Sequence, residues 1–393
     1  MWSGFVVTIL FVDDQPLVLD GIRRMLLAHR REWSMRFAVS GEDALHLCAA
    51  GPVDVIVSDM RMPEMDGAAL LELVAQRHPD TIRIVLSGHS ELEAALRAMD
   101  VTHQYLAKPC EGPMIARTLE RALRQRDRLQ QVDVRQIVNR LGVLPSLPRP
   151  LRRLRQLLAE PAPPMAEVAD AICREPAIAG KVLQLANSAF FGPSQRVSSV
   201  PVAASLLGLS ALRHVVEGAQ VFSPPAPRGG CCSLDPDAFA RHAVATARLA
   251  SALEPEAPWV ADAYAAGLLH DVGVLVIASR LPDQFCEIQA RVAAGATRSA
   301  AEKAVIGADH GEIAAYLLGL WGLPAEVVDA VGAHVRFDDG AIEALDTAAA
   351  VGVASQLAHE LEDEAPPARP RPQGETWDWW RERARLAPER EAA

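Results

Sequence analysis

Five short apolar runs, at residues 6–12, 35–39, 53–58, 82–87 and 104–107, alternate with helical stretches over residues 5–131. Because a helical pattern separates each run from the next, tight hairpins are excluded. A parallel sheet covered by helices on both faces is predicted instead. The expected fold class here is α/β, a doubly wound five-stranded parallel sheet, whose sites form at the carboxyl ends of the strands.

Beyond residue 143 no run reads as a strand. Amphipathic stretches at 151–158, 165–173, 177–187, 200–207, 237–252 and 261–269 follow one another with Pro or Gly at the breaks, which predicts an all-α second domain. Composition agrees: 50% of residues are apolar but only 5% aromatic, so the cores rest on Ala, Leu and Val, and Ala and Leu favour helix. At roughly 100–200 residues per domain, the 393 residues allow two or three folded units. The expected division is an α/β domain at 5–125, a helical connector at 126–142, a helical domain at 143–360 and a disordered tail at 361–393, where Pro, Arg and Glu become frequent. A Pro/Gly-rich loop at 223–232 is expected to split the helical domain, and Trp377, Trp379 and Trp380 give the tail a group able to dock. Ile115, Leu119, Ala122 and Leu129 approach a heptad that Arg126 and Asp133 interrupt. That pattern leaves open a dimerising helix, hence a homodimer, or an ordinary last helix with a connector.

With 39 basic and 50 acidic residues the formal charge is −11, which argues against a chain devoted to neutralising nucleic-acid phosphates. The cluster Arg149, Arg152, Arg153 and Arg155 keeps nucleic-acid contact as a minor alternative, but no helix-turn-helix pattern accompanies it and a solvated helix face explains it as well. Runs such as 5–12 fall short of the roughly 18–20 apolar residues that span a bilayer, and Asp13-Asp14 ends that run without a cleavage site. No membrane insertion and a cytoplasmic location are expected. The six cysteines (48, 110, 173, 231, 232, 286) fit neither a disulfide framework nor a cysteine zinc site.

In the expected sheet three carboxylates meet at one edge: Asp13 and Asp14 after the first strand and Asp59 after the third. Like charges cluster at a cost unless a cation sits among them, and hard oxygen ligands suit Mg²⁺. Lys108, after the fifth strand, adds a cation suited to a transferring phosphoryl group, and Ser87 a hydroxyl. The strings Val-Asp-Asp (12–14), Ser-Asp-Met-Arg-Met-Pro-Glu-Met-Asp-Gly (58–67), Leu-Ser-Gly (86–88) and Tyr-Leu-Ala-Lys-Pro (105–109) together resemble the receiver domain of bacterial two-component response regulators. The resemblance implies a flavodoxin-like strand order, with Asp59 accepting a phosphoryl group from a sensor histidine kinase or phosphotransfer protein. It also implies Mg²⁺ held by Asp13, Asp14, Asp59 and the backbone carbonyl of Arg61, Lys108 on the phosphoryl oxygens, and Ser87 and Tyr105 as the switch pair. A receiver fold that has lost this chemistry is the competing reading.

In the second domain His242, His270, His310 and His334, with Asp271, have the residue types of a metal site, though ordinary buried histidines compete with that reading. The strings at 144–148, 172–192 (Ile-Cys-Arg-Glu-Pro-Ala-Ile-Ala-Gly-Lys-Val-Leu-Gln-Leu-Ala-Asn-Ser-Ala-Phe-Phe-Gly), 197–208 and 267–273 (Gly-Leu-Leu-His-Asp-Val-Gly) resemble the HDOD family. This family is a helical relative of the HD metal phosphohydrolases and is regarded as non-catalytic, so the resemblance implies an output domain that binds a protein partner. An active cyclic-di-GMP phosphodiesterase of the HD-GYP type would carry Lys at Val274, a His-His-Glu at 333–335 and a Gly-Tyr-Pro after it. Here Val274, Ala333-His334-Val335 and residues 337–341 depart from that pattern, and the last metal-binding Asp falls on Ser355. A phosphorylation-controlled HD hydrolase of a nucleotide second messenger is the alternative.

Overall fold

The computed structural model describes residues 7–88, 98–129, 131–188, 196–222, 234–336, 345–361 and 380–382. The loop at 223–232 with Cys231-Cys232, the string at 337–341, Trp377 and Trp379 lie outside those residues. Two compact units divide the chain, the first built on Met1–Val143 and the second on most of the residues from Leu144 onward.

In the first unit β1 (Val7–Val12), α1 (Pro16–Met25), β2 (Trp33–Ala38), α2 (Gly41–Ala50), β3 (Val55–Asp59), α3 (Gly67–Arg77), β4 (Ile82–Gly88), β5 (Gln104–Lys108) and α4 (Gly112–Gln125) succeed one another. All strand pairs are parallel in the order β2-β1-β3-β4-β5. β3 is buried at every residue, so the sequence shows a continuous apolar run where an open-faced strand would alternate. Register aligns the carboxyl ends: Val12 lies opposite Ser58, Asp59 opposite Leu86 and Gly88 opposite Lys108. Ser40 and Asp66 cap α2 and α3 by accepting the Asp43 and Ala69 N–H groups at 3.1 and 2.8 Å.

The chain then folds back. A 3₁₀ turn (Arg126–Arg128) leads to α5 (Val132–Asn139). Ile115, Leu119 and Ala122 on α4, Leu129, and Val134 and Val138 on α5 all belong to the first unit and are all buried. The stretch is not one continuous helix, because the 3₁₀ turn interrupts it. Gln136 bonds Asp80 at 2.8 Å and Arg126 pairs with Asp54, on the loops leading into β4 and β3. Arg83 is fully buried on β4 and donates to the Val101 carbonyl (2.6 Å), the Thr81 carbonyl (3.1 Å) and the Asn139 carbonyl at the end of α5. His103 accepts the Arg83 backbone N–H at Nδ1 (3.0 Å), which places its proton on Nε2, and that N–H donates to the same Asn139 carbonyl at 2.9 Å. A guanidinium at a helix C-terminus meets the negative end of the helix dipole.

The second unit contains α6 (Pro148–Leu158), α7 (Met165–Ile172), α8 (Pro176–Ala186), α9 (Val200–Glu217), α10 (Pro236–Leu253), α11 (Val260–Leu269), α12 (Val272–Arg280), α13 (Pro282–Ala293), α14 (Arg298–Ile306), α15 (His310–Leu320), α16 (Ala325–Ala333) and α17 (Thr347–Leu361). Prolines at the first turns of α6, α10 and α13 mark their starts, where the missing N–H costs nothing. Glu175 is fully buried and takes N–H groups from Leu147 (2.8 Å) and Ile178 (2.5 Å), tying residues 144–148 to the start of α8. Burial raises its carboxyl to about 7 against the opposing effect of those N–H groups.

Two stretches, Val200–Glu217 and Val260–Arg280, are long and apolar enough to cross a membrane by length and composition, a length that runs such as 5–12 do not reach. The second is 72% buried in the helical core and is broken at His270-Asp271. Cys286 is disulfide-bonded, so the scattered spacing concealed a bridge. Within 361–393, read as a disordered tail, Trp380 is buried and Arg381 pairs with Glu360 at 3.0 Å.

Candidate functional sites

At the carboxyl edge of the first sheet, Asp13 and Asp59 are buried, 1% and 5% exposed, while Asp14 beside them is partly accessible. Lys108, the last residue of β5, reaches across to Asp13 Oδ2 at 2.7 Å and also bonds Asp59 Oδ1. Backbone N–H groups hold the other oxygens: Gln15 donates to Asp13 Oδ1 at 3.0 Å and Arg61 to Asp59 Oδ2 at 2.8 Å. Gly67 must lack a side chain, because a Cβ there would stand 2.1 Å from the Asp59 carbonyl oxygen. Its close approach brings the start of α3 against the end of β3.

Burial pushes the Asp59 carboxyl up, opposed by the hydrogen bond and charge of Lys108. Burial lowers the Lys108 ammonium, but its bonds to Asp13 and Asp59 outweigh this and raise it. A cavity of about 460 Å³ opens beside this edge, lined by Asp14, Met60, Arg61, Met62, Pro63 and Asp66. Carboxylate oxygens facing an open cavity fit a hard cation that keeps some water ligands. Ser87, fully buried, stands on β4 one residue past the partner of Asp59. Tyr105 is buried on β5.

The second unit brings all five expected residues together. His242 comes from α10, His270 and Asp271 from the α11–α12 junction, His310 from the first turn of α15 and His334 from the end of α16. Gly273 allows this: a Cβ there would sit 2.0 Å from the His310 carbonyl oxygen, so only glycine lets α12 approach α15. Asp309 and Glu312 form a capping box, each accepting the other's N–H at 2.9 and 3.1 Å, which fixes His310 at the head of α15.

Three rings are oriented by their Nδ1 atoms: His270 donates to the Gly267 carbonyl (2.7 Å), His334 to the Val331 carbonyl (2.6 Å) and His310 to Glu302 (2.6 Å). In the neutral rings the Nε2 lone pairs therefore converge on Asp271. His270 lies 3.3 Å from Oδ2, and His310 and His334 lie 3.3 and 3.7 Å from Oδ1. His242 Nε2 joins at 3.3 Å from His270 Nε2, and His310 Nε2 is 3.2 Å from His334 Nε2. Acceptors facing acceptors repel unless a cation lies between them. A metal with bonds of about 2.0–2.2 Å in tetrahedral arrangement spaces its ligands about 3.3–3.6 Å apart, so His242–His270–Asp271 and Asp271–His310–His334 each fit one ion.

Burial raises the Asp271 carboxyl, but His270 and the neighbouring imidazoles outweigh it and hold it well below the usual range. Burial pulls the His334 imidazole down to about 4 and also lowers His310, which Glu302 and Asp271 nevertheless raise. Val274 and Val335 are both buried and apolar.

Sequence reasoning missed two residues here. Glu302 accepts both the backbone and the ring N–H of His310, and His359 stacks on His242 with ring centroids 4.1 Å apart. His359 lies one helical turn after Ser355 on α17, so the i,i+4 spacing was the available signal. Nothing in the local sequence marks Glu302.

Two family models match the chain: the response regulator receiver domain over residues 9–120 and the HDOD domain over 144–337. With the parallel sheet and the helical unit, they define a receiver joined to a helical output domain. The chain belongs to the two-component response regulators, of the kind in which a receiver precedes an HDOD domain. The sensor kinase CckA of Brucella abortus is 35% identical over 129 residues, 32% of this chain and 13% of that one. The DNA-binding transcriptional regulator NtrC of Escherichia coli is 39% identical over 93 residues, 23% of this chain and 20% of that one. The chain thus spans a small part of both curated relatives. Among solved structures, the MmoQ response regulator of Methylococcus capsulatus is 23% identical with a TM-score of 0.47, covering 62% of this chain and 93% of that one. The signal receiver domain of an HD domain-containing protein from Pseudomonas fluorescens is 30% identical with a TM-score of 0.30, covering 31% and 98%.

Proposed function

We propose that Asp59 accepts a phosphoryl group from a histidine kinase or phosphotransfer protein and that the receiver thereby controls partner binding by the HDOD domain. One observation carries the reading: Lys108 ties Asp13 to Asp59 at an edge where three carboxylates and a cavity meet. An Asp59 carboxylate oxygen attacks phosphorus as the P–N bond of the donor phosphohistidine breaks, and the released imidazole takes up a proton. Asp13, Asp14, Asp59 and the Arg61 carbonyl would hold Mg²⁺, which would supply charge neutralisation for the entering group. Lys108 offers its ammonium to the phosphoryl oxygens, and the Arg61 N–H keeps Asp59 oriented. The doubly negative product then biases Ser87 and Tyr105.

Acetyl phosphate with Mg²⁺ should label the protein once, and Asp59→Asn should remove the label while the fold persists by circular dichroism. Undiminished labelling of the variant, or none of the wild type, sinks the assignment.

In the helical unit the converging lone pairs around Asp271 support a centre for divalent transition-metal ions. Val274 in place of Lys favours ion holding without hydrolysis, since a charged group for a scissile phosphate is missing at that position. Incubation with cyclic dinucleotides or (p)ppGpp and Mn²⁺ or Fe²⁺ should give no turnover. Hydrolysis that His270→Ala stops favours the enzyme reading instead. Nucleic-acid contact has less support, because Arg149 pairs with Asp237 at 3.1 Å and Arg155 donates to the Ala219 carbonyl at 3.2 Å.

A further inference from the structure

We infer that the centre around Asp271 holds two cations of unequal affinity, and that Glu302 is the positioning residue that makes the Asp271–His310–His334 half the tighter one. The inference rests on the reading of this centre as a metal site and adds which ion is held harder, and why.

Asp271 offers one oxygen to each half, Oδ1 toward His310 and His334 and Oδ2 toward His242 and His270. What differs is the group behind each ring. His270 and His334 donate their Nδ1–H to neutral carbonyls, of Gly267 and Val331. His310 alone of these three donates to a carboxylate, Glu302, at 2.6 Å. A carboxylate behind the ring draws the Nδ1 proton toward itself and makes Nε2 the more basic donor, and loss of such a partner weakens metal affinity by about 10–100-fold.

Glu302 is placed for this at some cost. It is 1% exposed, and its Oε2 takes both the ring and the backbone N–H of His310, the latter at 2.8 Å. Its other oxygen, Oε1, is buried without a hydrogen-bond partner among the described residues. The adjacent Lys303 ammonium turns away to Asp309 at 2.9 Å and Glu312 at 3.5 Å. A buried carboxylate so poorly supplied with donors is stabilised by positive charge reaching it through the imidazole. A cation on His310 Nε2 supplies that charge.

The test uses the full-length protein stripped by chelator and titrated with Zn²⁺ and Co²⁺, with calorimetry, metal analysis after desalting, and the Co²⁺ visible spectrum as readouts. Wild type should take up two ions in separable steps. Glu302→Gln keeps size and an acceptor for the Nδ1 proton, so its metal-free melting should stay near wild type. Its first step should weaken about 10–100-fold, one ion should be lost on desalting, and the Co²⁺ bands of the first-filled site should shift. Glu302→Asp should restore part of the affinity. His270→Ala should retain the tight step and His310→Ala the weak one. The inference is overturned if Glu302→Gln binds both ions as wild type does, or if His270→Ala loses the tight step. A wild-type protein that binds no ion overturns the metal reading itself, a result distinct from either.

Discussion

Arg83→Met should destabilise the first unit by about 3 kcal/mol and expose the amides of residues 132–141 to hydrogen exchange. The guanidinium is fully buried and serves the carbonyls of Thr81, Val101 and Asn139 at once. Methionine fills similar space but donates nothing. Each abandoned buried acceptor costs about 1–3 kcal/mol, and the His103 N–H retains Asn139, which keeps the sum near the lower end. Urea unfolding of the full chain reads the stability, and peptide-resolved exchange reads α5. Unchanged protection over 132–141 would show that apolar packing of Val134 and Val138, rather than the clasp, holds the helix.

The second large effect is a pH dependence. Glu175 has a carboxyl raised from 4.5 to about 7 in the folded chain. Between those values the folded state keeps a proton that the unfolded state has lost. The favourable contribution is complete below about pH 4.5 and disappears as pH rises through about 7. Two and a half units at about 1.4 kcal/mol each amount to about 3 kcal/mol. Other carboxyls titrate in the same unit, with Asp271 and Asp309 shifted down, so the informative quantity is wild type minus Glu175→Gln. That difference should favour wild type by about 3 kcal/mol more at pH 4.5 than at pH 8. Glutamine also sets an amide N–H against backbone donors, adding a pH-independent cost. Parallel stability curves for the two proteins would mean that Glu175 titrates normally.

The α/β unit was legible because its central strands β1, β3 and β4 are buried along almost their whole length and so read as largely apolar runs, and because its acidic residues sit at strand ends beside the runs themselves. Asp13, Asp59 and Lys108 meet through register alone, and β2-β1-β3-β4-β5 is the order that brings them together. The fold-back after Gln125 was not legible. Its anchors, Arg83 with Asn139 and Asp80 with Gln136, join residues more than fifty positions apart, and no local pattern announces them.

The histidines of the helical unit could be picked out by type, yet their convergence depends on close approaches such as Gly273 against His310. The groups behind the rings are harder still to find, because a glutamate on an amphipathic helix looks like any solvated residue until packing buries it. Glu302 is that case, and His359 was hidden one turn from the position where an aspartate was sought.

The fold-back separates two definitions of a module. By kinship the receiver stops near residue 120, whereas by its packing the first unit runs to Val143. A fragment cut at 125 to isolate the receiver would open the floor of its sheet, leaving Arg83 with one acceptor fewer and Asp80 without Gln136. Exchanging receivers between regulators at that point would pair each sheet with a foreign α5. The transferable piece of this chain is the receiver together with its returning helix.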